Sequence, residues 1–483
     1  LIPIALSWFV ILGLPAALLL DRDAPPRRLL GTAFLLGTGI VALILLAMSV
    51  VGVEWTLLRV TIACCVTALA LGPPASRRLA QRRPAAAGDG RSETLLGQPA
   101  RTPAVPFVVD LATLLLIIAH AVFATLARVG VWDFWAIFGF KARVFFLRGG
   151  IDWPFLEHPY HAFAHPDYPP LLSLDYDFLA LHHGAWDDRW LGILTTLFAA
   201  ALLLIVRDCF AEELPPLLAA MATFGVASIA LTQWIGMAEA PMIAFGTAAL
   251  LLIRRGSPVC GAVLLGFAAL TKNEGLALLV AVSIAMALSA RRKEMLRLWP
   301  AVAIAAPWLL LRAVHDLPTD LASGALTERA AHPVVEVLRT IAATPPAHPL
   351  FWIAVVASLL LGLFAGDRSL RRERFLLIAV ALQLVFYIAA YVVTPNDLHW
   401  HITNSWLRLL DQMAVPLAFM ALLASGRFFA TLGGNLWTVV GGGGTNMSLD
   451  SEKRGTERID GAQPRKDRRK GPTQGPGHVP QDH

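Results

Sequence analysis

Apolar runs of about 20 residues, the length a helix needs to cross the hydrocarbon core of a bilayer, recur along this chain and leave little choice of fold. In lipid every backbone N–H and C=O needs an internal partner, so runs of this kind are helices. They fall at 1–20, 29–52, 55–73, 106–129, 189–206, 215–235, 237–253, 258–271, 275–290, 298–313, 349–366, 375–394 and 413–433, about thirteen spans. Composition agrees: 56% of residues are hydrophobic, 15% are charged and the mean hydropathy is +0.62, whereas about a quarter of a soluble domain is charged. The expected class is an all-α polytopic membrane protein.

Orientation follows from the basic residues. Arg22, Arg27 and Arg28; Arg77, Arg78, Arg82 and Arg83; Arg254 and Arg255; Arg291, Arg292 and Lys293; and Arg368, Arg371, Arg372 and Arg374 all fall on one side if the span count holds. The positive-inside rule makes that side cytoplasmic. One missed or invented span would send the later clusters to the other face. The 132–188 loop, the 271–275 turn and the 318–348 and 395–412 stretches are then outside. The formal net charge of +6 does not point to nucleic acid, because the cations sit in short groups between apolar runs and form no stripe with interleaved aromatics. No partner of that kind is expected. Cys64 and Cys65 lie within an apolar run and Cys209 and Cys260 near cytoplasmic ends, so neither a disulfide nor a CxxC metal site is indicated.

Four segments are expected: three leading transmembrane helices at 1–74, a cytoplasmic linker rich in Arg, Ala, Gly and Pro at 75–105, a transmembrane core at 106–433, and a polar cytoplasmic tail at 434–483. The tail is too polar to bury a core and is expected to be disordered. The chain opens at Leu1, so its start is expected to lie upstream, and the first apolar run is too long for a cleavable signal.

Polar residues interrupt this apolar background in three places. The first outer loop opens on Trp132, Asp133, Phe134 and Trp135, a carboxylate between indoles suited to the interface. Lys141, Arg143 and Arg148 follow among Val144, Phe145, Phe146 and Leu147, the makeup of a juxtamembrane helix. His165, Pro166, Asp167, Tyr168, Pro169 and Pro170 are expected to hold an extended conformation, because proline disfavours helix at its own position and at the one before. His165 and Asp167 could hold a divalent metal ion, although no third ligand is evident. Asp175 and Asp177 read as part of a solvated surface helix. The second place is Thr271-Lys272-Asn273-Glu274-Gly275, which joins two runs each shorter than a full crossing. A Lys and a Glu at that depth need a polar surrounding or each other. The third is the stretch Asp397, His399, Trp400, His401, Asn404, Ser405 and Arg408, where a helix would set His401, Ser405 and Arg408 on one face.

The order of these elements resembles the bacterial GT-C membrane glycosyltransferases, relatives of the family 39 protein O-mannosyltransferases and of the aminoarabinose transferases. It rests on Trp132-Asp133 after a helix, Lys141-Ala142-Arg143, His165-Pro166-Asp167-Tyr168-Pro169, Thr271 to Gly275, and Thr394-Pro395 through His399-Trp400-His401 to Ser405 and Arg408. It covers 106–433. The resemblance implies a GT-C-like core with an extended first outer loop. It also implies inverting transfer of a sugar from a polyprenyl-phosphate donor at the outer, periplasmic face of the cytoplasmic membrane. Asp133 would be the general base or orienting carboxylate; Lys141, Arg143, Lys272 and Arg408 would meet the donor phosphate; His165, Asp167, Tyr168, Glu274 and His401 would shape the substrate pocket. The acceptor stays open among lipid, glycan and protein. Phe134 follows Asp133 where the protein mannosyltransferases carry an acidic pair, which argues against a protein hydroxyl acceptor and a paired-carboxylate metal site. No Walker loop or Rossmann fingerprint is present, so nucleotide donors are not expected. A transporter or lipid flippase, which also uses about a dozen helices with short broken pairs, is the alternative class.

Overall fold

A computed structural model describes residues 2–80, 104–233, 235–289, 291–318, 332–364 and 373–432. Among them every regular element is helical and no strand occurs. The long helices are α1 (Ile2–Leu20), α2 (Pro26–Val50), α3 (Leu57–Ala80) and α4 (Ala104–Leu126). The loop after α4 carries a π-helical turn (Phe134–Phe138), α5 (Gly139–Arg148), α6 (Trp153–Glu157), a 3-10 turn (Pro159–Ala164), α7 (Leu171–His183) and α8 (Asp188–Leu191). Then come α9 (Ile193–Glu213), α10 (Pro216–Ala230), α11 (Glu239–Arg255), α12 (Pro258–Thr271), α13 (Asn273–Leu288), α14 (Trp299–Val314), α15 (Val334–Ala343), α16 (Pro349–Phe364), α17 (Arg374–Val392) and α18 (Leu398–Leu432).

Each expected apolar run has a helix, but among the described residues 8 helical stretches are both long and apolar enough to cross a membrane, against the thirteen expected. The others fall short for physical reasons. The α10, α12, α13 and α16 helices are apolar but short, and α11 has 17 residues with Glu239 at one end and Arg254 and Arg255 at the other. Of the linker expected at 75–105, residues 75–80 are the end of α3 and 104–105 the start of α4, the rest lying outside the described residues, as does the expected tail. The α1 and α2 helices pack on each other and on α7, and α2 also packs on α9. Gly13 and Gly37 allow the close crossing of α1 and α2, since a Cβ on Gly37 would run into the Phe9 backbone and one on Gly13 into the Ala33 carbonyl. Phe9 meets Phe34 edge-on and lies against Phe178, while Phe34 meets Phe198, so one aromatic cluster knits α1, α2, α7 and α9.

One end of the bundle is ionic. Arg28, buried in the first turn of α2, binds Asp21 and reaches Asp208 and Glu212 on α9. Arg255 binds the same two acids, Arg254 binds Glu213 and Glu373, and Arg291 caps the carbonyls of Ile253 and Arg254 at the end of α11. Basic groups from loops far apart in the chain therefore share one end, as the loop pattern requires. Ser257, just before α12, donates to Asp21 at 3.2 Å, so among the described residues this network ties that end of α2, α9, α11, α12 and α17 together.

Two local expectations are corrected. The 165–170 segment is a turn and not an extended strand: His165 takes a left-handed backbone (φ 48°) and the Tyr168 N–H donates to its carbonyl at 3.0 Å. Prolines restrict only their own φ and the preceding residue, so a turn remains open to them. The α7 helix is no solvated helix; nearly all of it is buried, and Asp175 and Asp177 are 0% exposed. Their carboxylate oxygens lack hydrogen-bond partners, and burial pushes both carboxyls well above the usual range. The helix expected to begin in the 395–412 stretch does form, and it runs on into the apolar run from 413: α18 starts at Leu398 and continues for 35 residues, with the Asp397 carboxylate accepting from the Trp400 N–H at 2.8 Å at its start.

Candidate functional site

At the other end of α11 from the arginine network, acids and bases from four parts of the chain meet. Asp133 sits where the π-helical turn begins, held there because Phe134 packs on Tyr176 and the Trp135 indole donates to the Val129 carbonyl at 2.6 Å. Arg408 projects from the third turn of α18, its Nε donating to the Asn404 carbonyl. Its Nη1 donates to Asp133 Oδ2 at 2.8 Å and to Glu239 Oε1 at 3.3 Å. Glu239 is the first residue of α11. Lys272 lies in extended conformation between α12 and α13, and its Nζ donates to Glu239 Oε1 at 2.8 Å and pairs with Glu274 at 2.9 Å. The turn is tight because Gly275 presses against the Ala268 backbone, where a Cβ would collide. The result is a chain of alternating charge: Asp133, Arg408, Glu239, Lys272, Glu274.

Exposure divides this chain into a floor and a rim. The Glu239 and Lys272 side chains are 1% and 7% exposed, whereas those of Glu274, Asp133 and Arg408 are 20%, 17% and 29% exposed. Two cations share one buried oxygen of Glu239, and its other oxygen has no hydrogen-bond partner. Buried charges persist only when paired, and here every cation has two carboxylates.

A second group adjoins the first through Asn273. The Asn273 amide donates to Asp167 Oδ2 at 3.2 Å, Arg312 on α14 donates to Asn273 Oδ1 at 3.3 Å and lies 3.5 Å from Asp167, and the Trp308 indole donates to the Asp167 carbonyl. Lys141 is buried. Its Nζ donates to the His165 carbonyl at 2.8 Å between the rings of Phe138 and Tyr168. Burial drives its ammonium down to about 7, partly opposed by Asp167. His165 stacks on Tyr168, which lies near enough to Lys272 to act on its charge.

The candidate residues therefore sort unevenly. Asp133, Lys272, Glu274 and Arg408 join one ionic chain, and Asp167, Tyr168, His165 and Lys141 stand beside it. Lys141 is spent on holding the 165–170 turn. Arg143 is exposed on α5, two residues from Lys141 and so on nearly the opposite side of the helix; it does not join the cluster. His401 binds Thr394 Oγ1 at 2.7 Å, and Ser405 binds the Tyr391 hydroxyl at 2.7 Å. They share the Tyr391 side of α18. His165 and Asp167 do not face a common ligand, since the Asp167 carboxylate is engaged by Asn273 and Arg312. Among the described residues no three His, Cys, Asp or Glu side chains group as metal ligands. The residues do not fit a bound divalent ion.

Glu239, Arg312 and Trp308 were not singled out in the sequence. Glu239 carried a readable signal, a lone acid inside the 237–253 apolar run, where an ionisable residue marks function by default. Arg312 carried the same signal, a lone cation inside the 298–313 run, whereas Trp308 had none, being one more apolar residue of an ordinary helix. Chemically, the arrangement offers a rim carboxylate able to take a proton, and two cations able to meet an anion. In comparisons with known proteins, the chain matches no family model, no curated protein and no solved structure.

Proposed function

We propose that this chain is a membrane glycosyltransferase that moves a sugar from a polyprenyl-phosphate donor to an acceptor at the outer face of the cytoplasmic membrane, with inversion. The observation that carries the reading is the ion pair between Asp133 and Arg408, residues 275 apart in sequence, continued through Glu239 to Lys272. A lipid-linked sugar phosphate presents an apolar tail, an anionic leaving group and a polar sugar at one depth, and this end of the bundle offers helices, cations and carboxylates together. Asp133 would take the proton of the acceptor hydroxyl, while Arg408 and Lys272 would stabilise charge developing on the leaving phosphate. Asp167, Tyr168, His165, Glu274 and His401 would shape the sugar and acceptor side. The positive-inside rule supports an outward-facing site, and the proposed core is GT-C-like, with about thirteen spans and a bilayer that thins locally around the short α10 to α13 and α16.

The α12–α13 pair is short and carries its charges at the joint, which equally suits a transporter or lipid flippase. One experiment separates the two. Purified protein in proteoliposomes is given radiolabelled polyprenyl-phosphate sugars and an extract of envelope lipids and glycans. Transfer by wild type that disappears in Asp133→Asn supports the transferase; movement of intact donor across the bilayer without transfer supports the flippase.

A further inference from the structure

We infer that the Arg408–Asp133 pair is a latch, which an incoming phosphate opens by taking Arg408 and which thereby releases Asp133 as the base. This rests on the transferase reading above and adds an order of events to it.

The geometry decides which bond yields. Arg408 Nη1 divides its donation between Asp133 on the rim and Glu239 on the floor. Leaving Glu239 would leave a carboxylate that is 1% exposed to Lys272 alone, a cation that also serves Glu274, and no water can take the place of the lost guanidinium there. Leaving Asp133 strands a carboxylate at the edge, where water can replace the guanidinium. Arg408 is also the cation an arriving anion meets first, being the more exposed of the two that flank Glu239. Among the described residues its Nη2 makes no recorded hydrogen bond, so one fork arm is available to a phosphate oxygen. Glu239 holds the guanidinium in place during the exchange.

The latch has a chemical use. While paired, Asp133 Oδ2 is occupied by the guanidinium; once Arg408 turns to the phosphate, that oxygen is free to meet the acceptor hydroxyl. In the transfer step the acceptor O–H proton goes to Asp133, the acceptor oxygen forms a bond to the anomeric carbon, and the bond from that carbon to the phosphate oxygen breaks with its electron pair staying on the phosphate. Binding of the donor thus precedes activation of the base, which disfavours activation of water at an empty site.

The test reads binding without turnover. A polyprenyl monophosphate, and separately inorganic phosphate, is titrated into detergent-solubilised wild type, Asp133→Asn, Glu157→Gln and Arg408→Gln, each first checked by its melting transition. Asp133→Ser is the second variant should Asp133→Asn fail to fold. Removing the competitor for Arg408 is expected to tighten polyprenyl phosphate about tenfold, or about 1.4 kcal/mol. Glu157→Gln removes an outer-loop carboxylate that pairs with His315 and not with the ionic chain and should change affinity by less than about twofold, while Arg408→Gln should weaken binding by at least about tenfold. Unchanged or weaker binding by the Asp133 variants overturns the latch, and so does equal tightening by Glu157→Gln, which would mean mere relief of negative charge. The same order with inorganic phosphate assigns the exchange to the phosphate group, and the order with lipid alone assigns it to a membrane-held headgroup; both support the latch. Wild type that binds no polyprenyl phosphate defeats the transferase reading itself, a result distinct from a wild type that binds but fails the variant order.

Discussion

Replacing Glu239 by alanine removes the one carboxylate that Lys272 and Arg408 share, 2.8 Å and 3.3 Å away. Breaking a buried pair by deleting one partner costs about 3–5 kcal/mol. Lys272 keeps Glu274 and Arg408 keeps Asp133, so the low end, about 3 kcal/mol, is expected. Glutamine retains an acceptor but lowers two charge-assisted bonds from about 1.5–3 to about 0.5–1.5 kcal/mol each, a loss of about 2 kcal/mol in all. Reversible unfolding in mixed micelles, followed by helical circular dichroism, gives both numbers. The pairing itself is tested by a double-mutant cycle of Glu239→Gln with Lys272→Met, where groups in direct contact should couple by at least about 1 kcal/mol. A cost for alanine under about 1 kcal/mol, or additive single variants, would refute the claim that Glu239 is the buried junction of this ionic chain.

Three further outcomes follow from the same structure. Lys141 titrates near 7 when folded and at 10.5 when unfolded, so between these values the unfolded state binds the extra proton; wild type should therefore gain stability over Lys141→Met as pH rises from 7 towards 10, by up to about 1.4 kcal/mol per pH unit, and a flat difference in melting curves would exclude the buried lysine. Asp175 and Asp177 have raised carboxyls, so the native state holds protons that the unfolded chain releases above about pH 4; Asp175→Asn and Asp177→Asn should become progressively more stable than wild type as pH climbs, and a gap that narrows would contradict it. Gly37→Ala should push α1 off α2 and cost at least about 1–3 kcal/mol by overpacking, measured as a lowered melting temperature, whereas the same change at Gly72, around which nothing lies within 4 Å, should leave it near wild type.

Period and run length carried most of the fold. Every apolar run became a helix because lipid-compatible backbone has no other local solution, and the basic loops converged on one end. Charge density also marked Asp133, Lys272, Glu274 and Arg408, since each interrupts apolar sequence where an unpaired charge is expensive. What stayed illegible was pairing at a distance. Nothing near Lys141 indicates that its ammonium goes to a carbonyl 24 residues away, nor that Arg143 two positions on faces outward. Asp175 and Asp177 look like solvated acids because only tertiary packing, with α1, α2 and α5 laid against α7, takes them out of water. The 165–170 turn depends on one left-handed residue, His165, a conformation that proline content does not encode.

The α11 helix carries Glu239 at its first residue and Arg254 at its penultimate one, a separation of about 22 Å along the axis. Because both ends are clamped by ion pairs, the helix fixes not only a length but a rotational phase. Inserting or deleting a single residue anywhere between them would turn one terminus by about 100° relative to the other, detaching either the carboxylate or the guanidinium from its partners. Natural variants of this protein should therefore keep the number of residues between Glu239 and Arg254 constant, so that the helix is constrained in count as well as in the packing of its buried faces.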